Sequence, residues 1–84
     1  MDLITTIGLI AATGTTTAFV PQVLQIIKTQ NTKGISLVMY IIFTIGIIFW
    51  LTYGILLGDI PIIIANSITL VLALTILFLK IKNG

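Results

Sequence analysis

Six charges punctuate this chain and leave three long stretches without any: Leu3 to Ile27 (25 residues), Gly34 to Gly58 (25) and Ile60 to Leu79 (20). The charged residues are Asp2, Lys28, Lys33, Asp59, Lys80 and Lys82. About 20 helical residues cross a hydrocarbon core of roughly 30 Å, so each stretch is long enough to span a bilayer as a helix. A soluble domain this short would need a polar surface to cover its core. Here 58% of residues are hydrophobic and 7% charged, against roughly 25% charged in ordinary soluble domains, so the expected solvent is lipid. The expected architecture is an all-α membrane protein. It forms a single three-helix domain over residues 1–84, with spans near 3–27, 35–57 and 60–80. A cleaved signal peptide is a poor account of the first stretch, because it needs a basic leader and this chain begins Met1-Asp2.

Charge placement also orients the chain. All four lysines fall in the first connection or at the C-terminus, and both aspartates fall at the opposite boundaries. The positive-inside rule then puts the Lys28 to Lys33 loop and the C-terminus in the cytoplasm. The N-terminus and the Gly58-Asp59 turn lie outside a cell (inner) membrane, and every copy inserts the same way. With no cysteine and no histidine, disulfides, thiolate chemistry and the commonest metal ligands are gone. No metal, cofactor or nucleic-acid partner is expected.

The connections are short. Lys28 to Gly34 is polar and ends in a glycine suited to a turn, after which Ser36 can cap the second helix. The second connection is Gly58-Asp59, with Pro61 in the first turn of the third helix, where its missing N–H costs nothing. Helices joined that tightly are antiparallel neighbours. Pro21 instead falls inside the first span, where it cannot bond the Thr17 carbonyl and a kink is expected. Thr15, Thr16 and Thr17 precede it and are expected to support the freed carbonyl. Together with the adjacent polar Gln22, Pro21 reads as a hinge rather than a static bend. Gly8 with Ala12, Gly14 with Ala18 and Gly54 with Gly58 mark expected close contacts between helices.

Lipid rejects polar side chains, so Asn66, Gln22, the threonines and the amphipathic aromatics are the informative ones. None of them is an acid or a base. A proton-coupled carrier needs an intramembrane group to titrate, and an enzyme needs a general base, nucleophile or metal. Their lack points to uncoupled passage of a neutral solute and not to catalysis. Asn66 lies seven residues from Asp59, about 10 Å deep, and Trp50 nine residues from the same turn, about 13 Å deep. Phe43, Gly46, Trp50 and Tyr53 share one face of the second helix, with Gly46 leaving a gap beside the indole. An indole plate level with a carboxamide suits a sugar, whose C–H face stacks while its hydroxyls exchange hydrogen bonds. The competing account is packing: aromatic stripes commonly fill cores, and a lone membrane Asn is often glue between helices.

With those residues placed, the chain resembles the bacterial SemiSWEET sugar transporters of the PQ-loop superfamily. The residues carrying the likeness are Pro21-Gln22, Lys28-Thr29, Asn31-Thr32, Gly34-Ile35-Ser36, Met39-Tyr40, Trp50, Tyr53-Gly54, Asp59 and Ala65-Asn66. The resemblance implies a parallel homodimer of three-helix bundles (3+3 helices). It implies a mono- or disaccharide held between the Trp50 and Asn66 of each protomer, with Phe43 nearby, and alternating access about a Pro21-Gln22 hinge. It also implies an outer gate near Tyr53 and Asp59 and an inner gate near Phe19 and Met39. Relatives often carry an arginine between that tyrosine and that aspartate, whereas this chain has Leu57, so its outer gate is expected to close by packing and hydrogen bonding. A dimer follows from geometry too, since three helices cannot enclose a hydrated path for a sugar. The alternatives are a PQ-loop carrier of amino acids or other small solutes, and a non-transporting membrane assembly subunit.

Overall fold

The computed structural model describes residues 2–84 as three helices, α1 (Leu3–Thr29), α2 (Leu37–Leu57) and α3 (Ile60–Asn83), with no strand among the described residues. All three are long and apolar enough to cross a membrane. α1 and α3 run past the uncharged stretches at their lysine-bearing ends: Lys28 sits in the last turn of α1, and Lys80 and Lys82 in the last turn of α3. Cations there complement the negative end of the helix dipole, and long lysine stems carry their charge out of the lipid.

Each helix starts on a side-chain cap. The carboxylate of Asp2 accepts from the Thr5 N–H at 2.8 Å, the Ser36 hydroxyl from the Met39 N–H at 3.2 Å, and the Asp59 carboxylate from the Ile62 N–H at 3.2 Å. The Thr5 bonds hold the Asp2 carboxyl below its ordinary range. Between α2 and α3 the chain reverses in two residues. Gly58 takes φ +69°, a left-handed conformation that favours glycine. Its N–H donates to Ile55 (3.2 Å) and that of Asp59 to Gly54 (2.9 Å), which closes a Schellman motif. In the longer connection the left-handed residue is Gln30 at φ 57°, while Gly34 lies in a separate turn closed by the Ile35 N–H donating to Thr32 at 3.1 Å.

α3 lies in the middle. It packs against both other helices, parallel to α1 and antiparallel to α2, and no Cα of α1 comes within 8 Å of one in α2. The result is a slab of 44 × 22 × 14 Å. Gly54 lets α2 approach α3 closely: a Cβ there would lie 2.5 Å from Ile62 Cγ2. Gly8 plays the same part between α1 and α3, where a Cβ would meet Pro61 Cγ at 2.9 Å. Gly14 has nothing near it, so the close contact expected there does not form within the bundle. The buried cluster belongs to the lysine-bearing half, where Ile76 of α3 is 0% exposed and Val23, Ile26, Tyr40 and Leu79 close around it.

α1 is helical without interruption through Pro21. The expected support from threonines is not there. The Thr15 hydroxyl donates to Ala11 and Ala12, back along the helix, and none of the Thr15, Thr16 and Thr17 hydroxyls donates to the Thr17 carbonyl.

Candidate substrate site

Trp50 stands on a part of α2 that no other helix of the bundle covers and is 57% exposed. The Tyr53 ring meets it edge-on, with centroids 5.6 Å apart and planes at 89°, a favoured aromatic geometry that leaves an indole face open. Gly46, Phe49, Trp50 and Tyr53 line a hollow of about 360 Å³, and Gly46 contributes the gap, since nothing lies within 4 Å of where its Cβ would be. Phe43 shares the helix but not the hollow. Its ring lies 6.1 Å from that of Phe19 on α1 and 5.9 Å from that of Tyr40, one helical turn and more toward the lysine-bearing end. Met39 is exposed at the start of the same helix.

Asn66 projects from α3 into a second hollow. Its Nδ2 donates to the Ile62 carbonyl at 2.9 Å, which fixes the amide against its own helix and leaves its oxygen and one N–H for another partner. The hollow, about 600 Å³, opens between α1 and α3 and is lined by Thr5, Gly8, Ala12, Asp59, Pro61 and Ala65 among others. Ala12 and Ala65 also line a smaller space of about 160 Å³ that continues past Thr13, Thr16 and Thr17. α1 and α3 therefore frame one groove that runs from the Asp59 turn toward Pro21. That groove was not legible beforehand, because connection lengths say which of α2 and α3 are neighbours but nothing about α1. The alanines and threonines that flank it were the available signal.

Trp50 and Asn66 thus open into two separate hollows of one bundle, and Phe43 with Phe19 forms a third group nearer the lysines. Asp59 has one oxygen committed to capping α3, so only the other is free toward the groove. Pro21 and Gln22 are both exposed.

Three spanning helices in a flat layer, with one aromatic hollow and one that holds an amide open on it, define a small multi-pass membrane protein. The chain belongs to the PQ-loop repeat family, whose model matches residues 3–63, and to the SemiSWEET group within it. It is 49% identical over 83 residues to the sugar transporter SemiSWEET of Escherichia coli (strain UMEA 3162-1), covering 99% of this chain and 93% of that protein. The corresponding protein of Leptospira biflexa serovar Patoc is 47% identical over 78 residues, 93% of this chain and 92% of the relative. A crystal structure of SemiSWEET in the inward-open conformation superposes with a TM-score of 0.93 at 49% identity, over 99% of this chain and 89% of that one. A crystal structure of a bacterial homologue of SWEET transporters superposes with a TM-score of 0.90 at 47% identity, over 99% and 100%.

Proposed function

We propose that this chain is one half of a facilitative carrier that moves small neutral sugars, mono- or disaccharides, across the cell (inner) membrane by alternating access. The observation that carries the reading is the nearly end-to-end likeness, at 47–49% identity, to proteins named as sugar transporters. The geometry supports it. A 14 Å-thick slab cannot enclose a path for a sugar, so a second copy in the same orientation must supply the other wall. The exposed indole of Trp50 then stacks on the pyranose face while the free carbonyl and N–H of Asn66 take its hydroxyls, and Phe43 lines the inner margin. Tyr53 and the uncommitted oxygen of Asp59 close the outer side, with Leu57 adding packing where a cation would otherwise pair. Phe19 and Met39 close the inner side, and the groove's free run of α1 lets its two halves tilt about Pro21-Gln22. The lysine-bearing end faces the cytoplasm and the Asp2 and Asp59 end faces outward. Passage is uncoupled and no bond is made or broken, because Asp2 and Asp59 cap helices at the membrane boundary and the spans hold no carboxylate or histidine to carry a proton.

The test is equilibrium counterflow in proteoliposomes, with labelled glucose, sucrose and a neutral amino acid compared side by side. Exchange of a sugar and not of the amino acid is expected. Exchange of the amino acid alone would transfer the site to another solute class, and exchange of neither would leave a membrane subunit without carrier activity.

A further inference from the structure

We propose that the lysine-bearing end of the bundle seats the phosphate of an anionic lipid headgroup. A hollow of about 290 Å³ lies there between the α1–α2 connection and the end of α3, lined by Thr29, Gln30, Asn31, Thr32, Lys33 and Asn83. Every one of these side chains can form hydrogen bonds, unlike those of the other hollows. The hollow is built rather than left over from a loose loop. Lys80 Nζ donates to the Thr32 carbonyl at 3.0 Å, Asn83 Nδ2 to Gln30 Oε1 at 3.0 Å, and the Thr32 hydroxyl to the Gly84 carbonyl at 3.3 Å. Thr32 is only 2% exposed as a result.

Charge and depth select the ligand. All four lysines are at this end, and both side-chain carboxylates cap helices at the other. Lys80 is committed to the loop, whereas the Lys33 ammonium, on the hollow's wall, has its stem exposed. Lys28 and Lys82 flank it from the last turns of α1 and α3. Two helix C-termini meet here, and their bare carbonyls would repel an anion. Three of those carbonyls are occupied: Gln30 N–H donates to Ile26 at 2.8 Å, Gln30 Nε2 to Ile27 at 2.7 Å, and Gly84 N–H to Lys80 at 2.8 Å. The N-terminus of α2, with its favourable dipole, starts at the same end. As for depth, 27 residues make α1 about 40 Å long, roughly 10 Å more than the hydrocarbon core. The final turns therefore lie in the headgroup layer, where a lipid phosphate is concentrated and a soluble one is not.

Native mass spectrometry of the purified protein, released from micelles of phosphatidylcholine with increasing phosphatidylglycerol, tests this. Phosphatidylglycerol is expected to stay bound where phosphatidylcholine does not. Lys33→Gln should weaken retention about fivefold, in line with the attraction of one lysine to an anionic surface. Asn83→Ala leaves the net charge unchanged, so it separates a built site from diffuse attraction: a loss comparable to that of Lys33→Gln is expected, in protein whose helicity and melting remain those of wild type. Lys33→Gln carries the same test if the alanine variant does not fold, with Lys28→Gln, outside the hollow, as its charge-matched control and expected to lose less. No preference for phosphatidylglycerol in the wild type would overturn the proposal. Equal losses for Lys33→Gln and Lys28→Gln, or full retention in folded Asn83→Ala, would also overturn it. Displacement of the lipid by millimolar inorganic phosphate would reassign the site to a soluble anion.

Discussion

Replacing Gly54 by alanine should cost stability even though alanine is the better helix former. An ideal Cβ at this position falls 2.5 Å from Ile62 Cγ2 and 3.0 Å from Ile62 Cβ, whereas carbon atoms rest at about 3.5–4.0 Å. Rotation of Ile62 gives little relief, because a β-branched side chain in a helix is held to one dominant rotamer and its Cβ moves only with the backbone. The backbone is itself pinned, since Gly54 and Ile62 flank the two-residue Schellman turn. Overpacking of this kind typically costs about 1–3 kcal/mol, against about 0.5–1 kcal/mol gained from replacing a helical glycine. The midpoints of those ranges give a net loss of about 1 kcal/mol, and their extremes at most about 2.5 kcal/mol. Gly14 is the control. Nothing lies near its Cβ position, so Gly14→Ala should hold or raise stability by up to about 1 kcal/mol. Thermal unfolding in detergent, followed by the fluorescence of Trp50, reads both. Gly54→Ala melting at or above wild type would refute the argument that α2 and α3 are in contact through this glycine.

Trp50→Ala and Asn66→Ala are each expected to abolish sugar binding in calorimetric titration while leaving a folded dimer, because both side chains open onto hollows and neither fills the buried cluster; wild-type affinity would return them to packing. Pro21→Ala should restore an N–H toward the Thr17 carbonyl and stiffen α1. Equilibrium sugar binding should then change by less than about tenfold while counterflow falls further, and undiminished counterflow would place the hinge elsewhere. Asp59→Asn keeps an N-cap acceptor, so its melting should match wild type, whereas Asp59→Ala should lose about 0.5–2 kcal/mol. A transport defect in the asparagine variant would show that the carboxylate's charge, and not its cap, matters at the outer side.

How far these features could be read in advance depends on their range along the chain. Charge spacing alone located three helices, because lysine and aspartate are excluded from lipid. The helices continue a few residues past those spans, to Thr29 and Asn83, where long lysine stems carry their charge to the interface. Local chemistry read correctly at Ser36 and at the Gly58 turn, whose partners are within four residues. Order within the bundle was not legible: apolar residues are spread round all three helices rather than gathered into one stripe, so nothing announces that α3 faces both α1 and α2. For the same reason Phe43 could be placed on Trp50's face by periodicity, while its contact with Phe19, across helices, could not. Thr32 is the sharpest case. A threonine in a polar loop between two lysines reads as solvated, and it is buried because Lys80 and Gly84, about 50 residues away, close over it.

The central claim is an uncoupled sugar carrier, and the steady-state accumulation ratio of labelled sugar in proteoliposomes tests it most directly. Uptake should exceed that of protein-free vesicles and level off at equal concentrations inside and out, with or without an imposed proton or sodium gradient, since no carboxylate or histidine lies within the spans. Accumulation above the external concentration under either gradient, or uptake no faster than in protein-free vesicles, would contradict it.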